Sequence, residues 1–162
     1  MPTATYIALA NLTLTGTDAE VTSSSIPATY RDLVVITNVD GSAQTEMFVR
    51  LNGDTGNNYN TIRMQGNGSI TGSGSTTNAN GARLNGNGDI MTDFSFSSII
   101  HVMDYSATDK HKTGLSRTNS SNGVDACAFR WANTNAVTSV TVYPATGNFE
   151  SGSTFALYGI VS

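Results

Sequence analysis

The residue types that most often carry covalent chemistry are scarce in this chain. It holds one cysteine, Cys127, and two histidines, His101 and His111. Cys127 lies in an apolar run, which is typical of a small buried residue, and a nucleophilic thiol would need a base beside it. No Gly-x-Ser-x-Gly elbow leads from a strand into a helix. His101 fits a half-buried packing or hydrogen-bonding residue, and His111 fits a solvent-facing one. We therefore expect no catalytic residue and no enzyme activity.

One short segment contains oxygen ligands of the kind that a hard cation binds. The run Asn52-Gly53-Asp54-Thr55-Gly56-Asn57-Asn58 is faintly similar to a calcium loop. It lacks the closing bidentate glutamate and a second acidic ligand. Because Asp and Asn also favour turns through local backbone hydrogen bonds, we interpret the segment as a turn. The sequence thus predicts no metal and no other cofactor, with a cation at Asp54 as the alternative.

Tyrosine and asparagine side chains are the remaining residues that could recognise a ligand. Jelly-roll domains often bind glycans by stacking aromatic rings on sugars, while Asn and Asp fix the hydroxyls. Trp131 alternates with Phe129 and is therefore expected in the core. The candidate contact surface consists of five residues: Tyr59, Asn67, Asn80, Asn85 and Tyr143.

Hydrophobic periodicity predicts an all-β chain. No stretch keeps apolar residues at helical spacing over three turns, whereas short β-rich runs recur between Gly, Asn, Asp and Pro. Nine or ten short strands joined by turns indicate an antiparallel β-sandwich of jelly-roll type. The 162 residues suit one domain spanning 1–162. The predicted strand segments are Thr3–Thr15, Glu20–Ile26, Asp32–Val39, Glu46–Asn52, Asn58–Met64, Phe94–Tyr105, Lys112–Thr118, Ala126–Ala132, Thr138–Tyr143 and Ser153–Val161.

Three segments carry more specific expectations. The continuous apolar run Leu33-Val34-Val35-Ile36 is typical of a central strand covered on both faces. Glu46–Asn52 alternates, so that Met47, Val49 and Leu51 should face inward. Residues 65–89 are dominated by Gly, Asn, Ser and Thr, which predicts a long loop with room for one short hairpin. Loops of that length are usually functional or mobile.

Composition and charge exclude several classes of partner. Charged residues make up 12% of the chain, against about 25% in an average domain. The net charge is −4 and the isoelectric point about 4.8, so we expect no attraction to nucleic acid. No apolar run approaches the roughly 20 residues that span a bilayer, and the first residues lack the pattern of a secretory signal. We therefore expect no membrane partner and synthesis in the cytoplasm.

Four separated segments resemble a known family. Ser25-Ile26-Pro27-Ala28-Thr29-Tyr30-Arg31-Asp32-Leu33-Val34 is similar to the SIPxTYxDLVL segment of small virion structural proteins of marine tailed bacteriophages, cyanophages among them. Three further matches follow in the family's order and extend the likeness over nearly the whole chain. They are Arg50-Leu51-Asn52-Gly53-Asp54 with Asn58-Tyr59, then Lys112-Thr113-Gly114-Leu115-Ser116-Arg117, and Gly152-Ser153-Thr154-Phe155-Ala156-Leu157-Tyr158-Gly159-Ile160.

The resemblance implies a virion component and brings no catalytic residues. Small jelly-roll proteins of tailed phages commonly sit on the capsid as trimeric cement or on fibres as tips. The leading expectation is therefore an outer capsid decoration or cement protein that stabilises the head. It would form a homotrimer on the major capsid protein. The alternative is a tail-fibre or spike domain that binds host surface glycans through the Asn/Gly-rich region and exposed tyrosines.

Overall fold

The computed structural model describes residues 4–86, 96–120 and 123–161, and all regular structure within them is β-strand. Among these residues no helix occurs that is long and apolar enough to cross a membrane. The twelve described strands are β1 (Tyr6–Thr13), β2 (Val21–Ser23), β3 (Asp32–Val39), β4 (Met47–Leu51), β5 (Tyr59–Gly66), β6 (Thr71–Ala79), β7 (Ala82–Arg83), β8 (Phe96–Met103), β9 (Lys112–Ser120), β10 (Gly123–Trp131), β11 (Val140–Pro144) and β12 (Thr154–Ile160).

The strands form two antiparallel sheets, which confirms the predicted jelly-roll-type sandwich. The larger sheet has eight strands in the order β1-β12-β3-β8-β9-β10-β5-β6. The smaller has four, in the order β2-β11-β4-β7. Neighbours that are distant in sequence, such as β3 and β12, pair because the chain passes repeatedly between the sheets. The smaller sheet covers one face of the larger one, and the core lies between them.

Period-two burial builds this core. In β4, Met47, Val49 and Leu51 are fully buried while Phe48 and Arg50 point outward, as the alternation predicts. The largest buried side chains come from the larger sheet and from loops. They include Trp131, Tyr59, Tyr105, Phe96 and Phe149.

The Gly/Asn-rich region is more ordered than its composition predicts. The prediction of a loop over 65–89 is wrong for most of its length, since β5 continues to Gly66 and pairs with the nine-residue β6, and β7 follows. Residues 87–89 lie outside the described residues. One glycine of β6, Gly74, lies beside the Arg63 side chain of β5, since a Cβ there would lie 2.7 Å from Cζ of Arg63. The β5–β6 turn is closed by Asn67, whose Oδ1 accepts hydrogen bonds from the backbone of Ser69 and Ile70.

The segment before β3 joins the two sheets. Ile26 is buried, and its N–H donates to the carbonyl of Thr138 beside the smaller sheet. The Tyr105 hydroxyl donates to the carbonyl of Pro27. The Tyr30 ring packs over Gly159 of β12 in the larger sheet, where no side chain leaves room for it. These contacts fix the chain path between β2 and β3.

Candidate interaction surface

The outward side of the eight-stranded sheet carries two rows of mostly apolar side chains. Strand register places residues that face the same way directly opposite one another. The first row runs across five strands as Val34, His101, Leu115, Ala128 and Ile62. The second row runs beside it as Ile36, Ile99, Arg117, Ala126 and Met64. We call these ten residues the outer face.

Much of the outer face is open to solvent. The exposed fractions are 42% for Ile36, 37% for Ile99, 49% for Leu115, 65% for Ile62 and 62% for Met64. Scattered exposed apolar residues are normal on any protein, but a contiguous set is unusual on a monomer and marks a contact site. The contiguity here follows from register, since these side chains stand on adjacent strands of one sheet.

The outer face is grooved and not flat. Two adjoining concavities of about 740 Å³ and 520 Å³ lie along it. Ile36, Ile99 and Arg117 line both, so the two form one continuous depression. Such a depression accepts a protruding segment of a partner more readily than a second flat sheet.

Charge on this side of the sheet is sparse. Arg117 is exposed, and within the described residues no ion pair or hydrogen bond of its side chain is found. The carboxylate of Asp125 borders the larger concavity, but Asp125 is buried and its Oδ2 accepts a hydrogen bond from the Thr118 hydroxyl. Arg117 is thus the one exposed formal charge among the described lining residues, other than a protonated His101.

His101 has a structural partner in the carboxylate of Asp32. Its Nε2 lies 3.1 Å from Asp32 Oδ2, while Arg31 and the backbone N–H of Asp104 also donate to that carboxylate. Burial raises the pKa of Asp32, but the hydrogen bonds from Asp104, His101 and Arg31 outweigh it, so the net pKa is lowered. This arrangement confirms the sequence-based interpretation of His101 as a half-buried hydrogen-bonding residue.

Two of the five predicted contact residues are not at the surface, so that part of the prediction is wrong. Tyr59 is fully buried against Trp131, and its hydroxyl both donates to the carbonyl and accepts from the N–H of Leu51. Asn85 is also fully buried, and its Oδ1 accepts a hydrogen bond from the N–H of Met47. Both satisfy backbone groups of β4, which leaves neither available to a ligand.

The other three predicted contact residues lie at the surface but not together. Asn67 is exposed at the β5–β6 turn. Asn80 and Tyr143 lie on the opposite side of the sandwich, where the Arg50 guanidinium donates to the Asn80 carbonyl and stands 3.9 Å from the centre of the Tyr143 ring. Tyr143 also stacks on Phe48, with ring centres 5.6 Å apart. The structure therefore divides the predicted surface between two places.

The Asp54 segment is held as a turn by donors that point at its carboxylate. Asp54 Oδ1 accepts from the N–H of Gly56 at 2.8 Å. Oδ2 accepts from Asn58 Nδ2 at 2.8 Å and from Trp131 Nε1 at 2.7 Å. Donor hydrogens occupy the positions that a cation would need, which supports the turn interpretation. Within the described residues no cluster of three or more His, Cys, Asp or Glu is placed to hold a metal.

Cys127 is a core residue, as predicted from its apolar neighbours. It is 2% exposed on the inner side of β10. Burial raises the pKa of its thiol to about 11, so the thiolate form is rare at neutral pH.

Sequence reasoning missed the outer face although a signal was present. The run Leu33–Ile36 predicted a strand covered on both faces, and the structure buries Leu33 and Val35 on the inner face and Val34 on the outer one. Ile36 on the outer face remains 42% exposed. Apolar residues at consecutive positions of a central strand thus indicate two apolar faces, and the smaller sheet covers only one of them.

Neither a known family profile nor a curated protein sequence matches the chain. Among solved structures, it is similar to the Caenorhabditis elegans galectin LEC-6, with a TM-score of 0.38, 7% identity, and coverage of 94% of this chain and 96% of the galectin. Alginate lyase Aly36B gives a TM-score of 0.38 and 11% identity over 93% of this chain and 77% of the lyase. Exo-inulinase from Aspergillus awamori gives 0.34 and 8% over 96% of this chain and 29% of the inulinase. Likeness at this level carries no functional argument.

Proposed function

We propose that this chain is a structural protein of a bacteriophage virion. In this proposal it is an outer capsid decoration protein that binds the major capsid protein as a homotrimer and cements the head. The observation that carries the proposal is the outer face, an apolar depression on a chain whose one cysteine is buried and whose His101 is bonded to Asp32. The resemblance of four sequence segments to virion structural proteins gives the proposal its biological setting.

The outer face is better suited to a protein contact than to catalysis or to sugar. Eight of its ten residues are apolar, and the buried centres of protein interfaces are likewise depleted in charged residues. Burying these side chains against a partner would remove apolar surface from water at about 25 cal/mol per Å². Several copies bound around one capsid axis would add their weak contacts by avidity.

The test is binding to phage heads that lack this protein. We expect the wild-type chain to co-sediment with such heads and to give density at threefold or pseudo-threefold positions in cryo-electron microscopy. The double variant Ile62→Glu/Met64→Glu should lose binding, because it places two charges on the outer face. Both positions are more than 60% exposed, so folding should be little affected.

Ile70→Glu is the matched control. Ile70 is 68% exposed, but it stands at the β5–β6 turn and outside the two rows of the outer face, whereas Met64 of the test variant lines the groove. This variant should bind heads as the wild type does. Density on the tail alone would overturn the decoration role.

The alternative function, a tail-fibre or spike domain that binds host glycans, is favoured by a different surface. The stack of Arg50, Tyr143 and Phe48 presents an aromatic ring beside a guanidinium, a combination that suits sugar stacking. Saturable binding on a glycan array that Tyr143→Ala abolishes and Ile62→Glu/Met64→Glu preserves would support it. Absence of measurable binding to host lipopolysaccharide would count against it.

A further inference from the structure

Arg117 is the one permanently charged and exposed side chain among the described residues that line the apolar groove. Arg117 of β9 is flanked in register by Ile99 of β8 and Ala126 of β10, and it lines both concavities. Any partner that fills the groove must therefore remove the water around one guanidinium. An unpaired buried charge is costly, whereas a guanidinium paired with a carboxylate makes strong charge-assisted hydrogen bonds.

The charge of Arg117 makes the outer face of a second copy an unsuitable occupant of the groove. If two outer faces stacked on each other, each would bring an Arg117 into the shared interface. Of the two described carboxylates near the face, Asp32 is already bonded to Arg31 and His101. The other, Asp125, is only 6% exposed, so that a second copy could not reach its unpaired Oδ1. Self-stacking would thus bury two like charges without a counter-ion.

The size of the groove limits the occupant further. The row from Ile36 to Met64 crosses five adjacent strands. At about 4.8 Å between strands this is about 19 Å, the length of roughly six residues of extended chain.

We propose that the outer face binds an extended apolar protein segment of about six residues that carries one aspartate or glutamate opposite Arg117. The aliphatic rows bury the apolar side chains of the segment, and Arg117 pairs with its carboxylate. This proposal deepens the decoration function, which would place the segment on a neighbouring capsid subunit. The binding chemistry itself does not depend on where the segment comes from.

The experiment is selection of a random 12-residue peptide library on the immobilised full chain, followed by affinity measurements on the enriched peptides. We expect enriched peptides to combine aliphatic residues with one acidic residue. Arg117→Glu should weaken their binding at least tenfold. Replacing the acidic residue of the peptide by lysine should do the same to the wild-type chain and should restore binding to Arg117→Glu.

Arg130→Glu is the matched control. Arg130 is exposed on the same side of β10 but lines neither concavity, so this variant should bind within twofold of the wild type. The inference would be overturned if neither Arg117→Glu nor Ile62→Glu/Met64→Glu weakened the binding of the enriched peptides. Failure to enrich any peptide would overturn it as well. Self-association that Ile62→Glu/Met64→Glu abolishes would also overturn it, because the occupant would then be a second copy. Peptide binding without binding to phage heads would overturn the decoration function alone.

Discussion

At the scale of single residues, several residues that carry the family resemblance act within the fold. Asn52 accepts hydrogen bonds from the backbone N–H groups of Thr138 and Ser139 and donates to the carbonyl of Ala136. Asp54 holds its own turn and the indole of Trp131. These side chains tie the β4–β5 connection to the segment before β11. Their types are therefore explained by the backbone groups and the indole N–H of neighbouring segments, with which these side chains form hydrogen bonds.

Asp54→Asn should lower the free energy of unfolding by about 1–3 kcal/mol at pH 7, because an amide has one oxygen for the three donors and turns its own NH2 either toward the N–H of Gly56 or toward Asn58 and Trp131. Urea unfolding followed by the fluorescence of Trp131, the one tryptophan of the chain, measures the change. Asp109→Asn is the control, since Asp109 is exposed, and it should stay within about 0.5 kcal/mol of the wild type. Equal stability of Asp54→Asn and wild type would contradict this role.

At the scale of strands, glycine marks places where another side chain lies on the sheet. Gly159 is on β12, and an added Cβ would overlap the ring of Tyr30. Gly114 on β9 lies in the same way under the ring of Phe129. At both positions the lack of a side chain leaves room for an aromatic ring to pack on the backbone of the strand. Low β-propensity at these positions therefore reflects close packing and not the end of a strand.

Gly159→Ala should destabilise the protein by about 1–3 kcal/mol, because the new methyl group must displace the Tyr30 ring from a well-packed site. Thermal unfolding monitored by circular dichroism measures the effect. Gly72→Ala in β6 is the matched substitution, since its Cβ would meet Gln65 at an ordinary 3.4 Å. A larger loss for Gly72→Ala than for Gly159→Ala would refute the packing explanation.

For the fold as a whole, two carboxylates each link segments that are distant in the sequence. Asp32 holds the start of β3 to the end of β8, and Asp54 holds the β4–β5 turn to β10. Burial raises both pKa values, but hydrogen bonds to the charged carboxylates lower them more, so both lie below the ordinary value of 3.8. Their stabilisation is fully present above about pH 4 and is lost as the pH falls through the lowered pKa values.

The free energy of unfolding should therefore fall steeply below pH 3.8, where the unfolded chain binds protons that the folded chain still excludes. The double variant Asp32→Asn/Asp54→Asn should be less stable at pH 7 and show a flatter pH dependence below pH 4. Urea unfolding between pH 2 and pH 7 measures both effects. Asp109→Asn should keep the wild-type slope, and an unchanged slope in the double variant would contradict the assignment.

Alternation of apolar and polar residues determined the β class, the sandwich and ten of the strand positions, since period two depends only on which side of a strand faces the core. It also identified Cys127 and Trp131 as core residues. It failed for β6, because the Gly and Ser residues of that strand have low β-propensity and the strand forms by pairing with β5. It also failed for Tyr59 and Asn85, because burial of a polar residue depends on a distant partner.

Local sequence patterns do not reveal where the apolar residues of different strands meet, because that depends on long-range strand pairing. Ile36, Ile99 and Met64 come from three parts of the chain. They line one exposed groove because strand order and register place them side by side. The sequence determined that Leu33–Ile36 is apolar on both sides. Whether the second side is covered depends on which elements the fold places over it, and within the described residues the smaller sheet covers only the inner face.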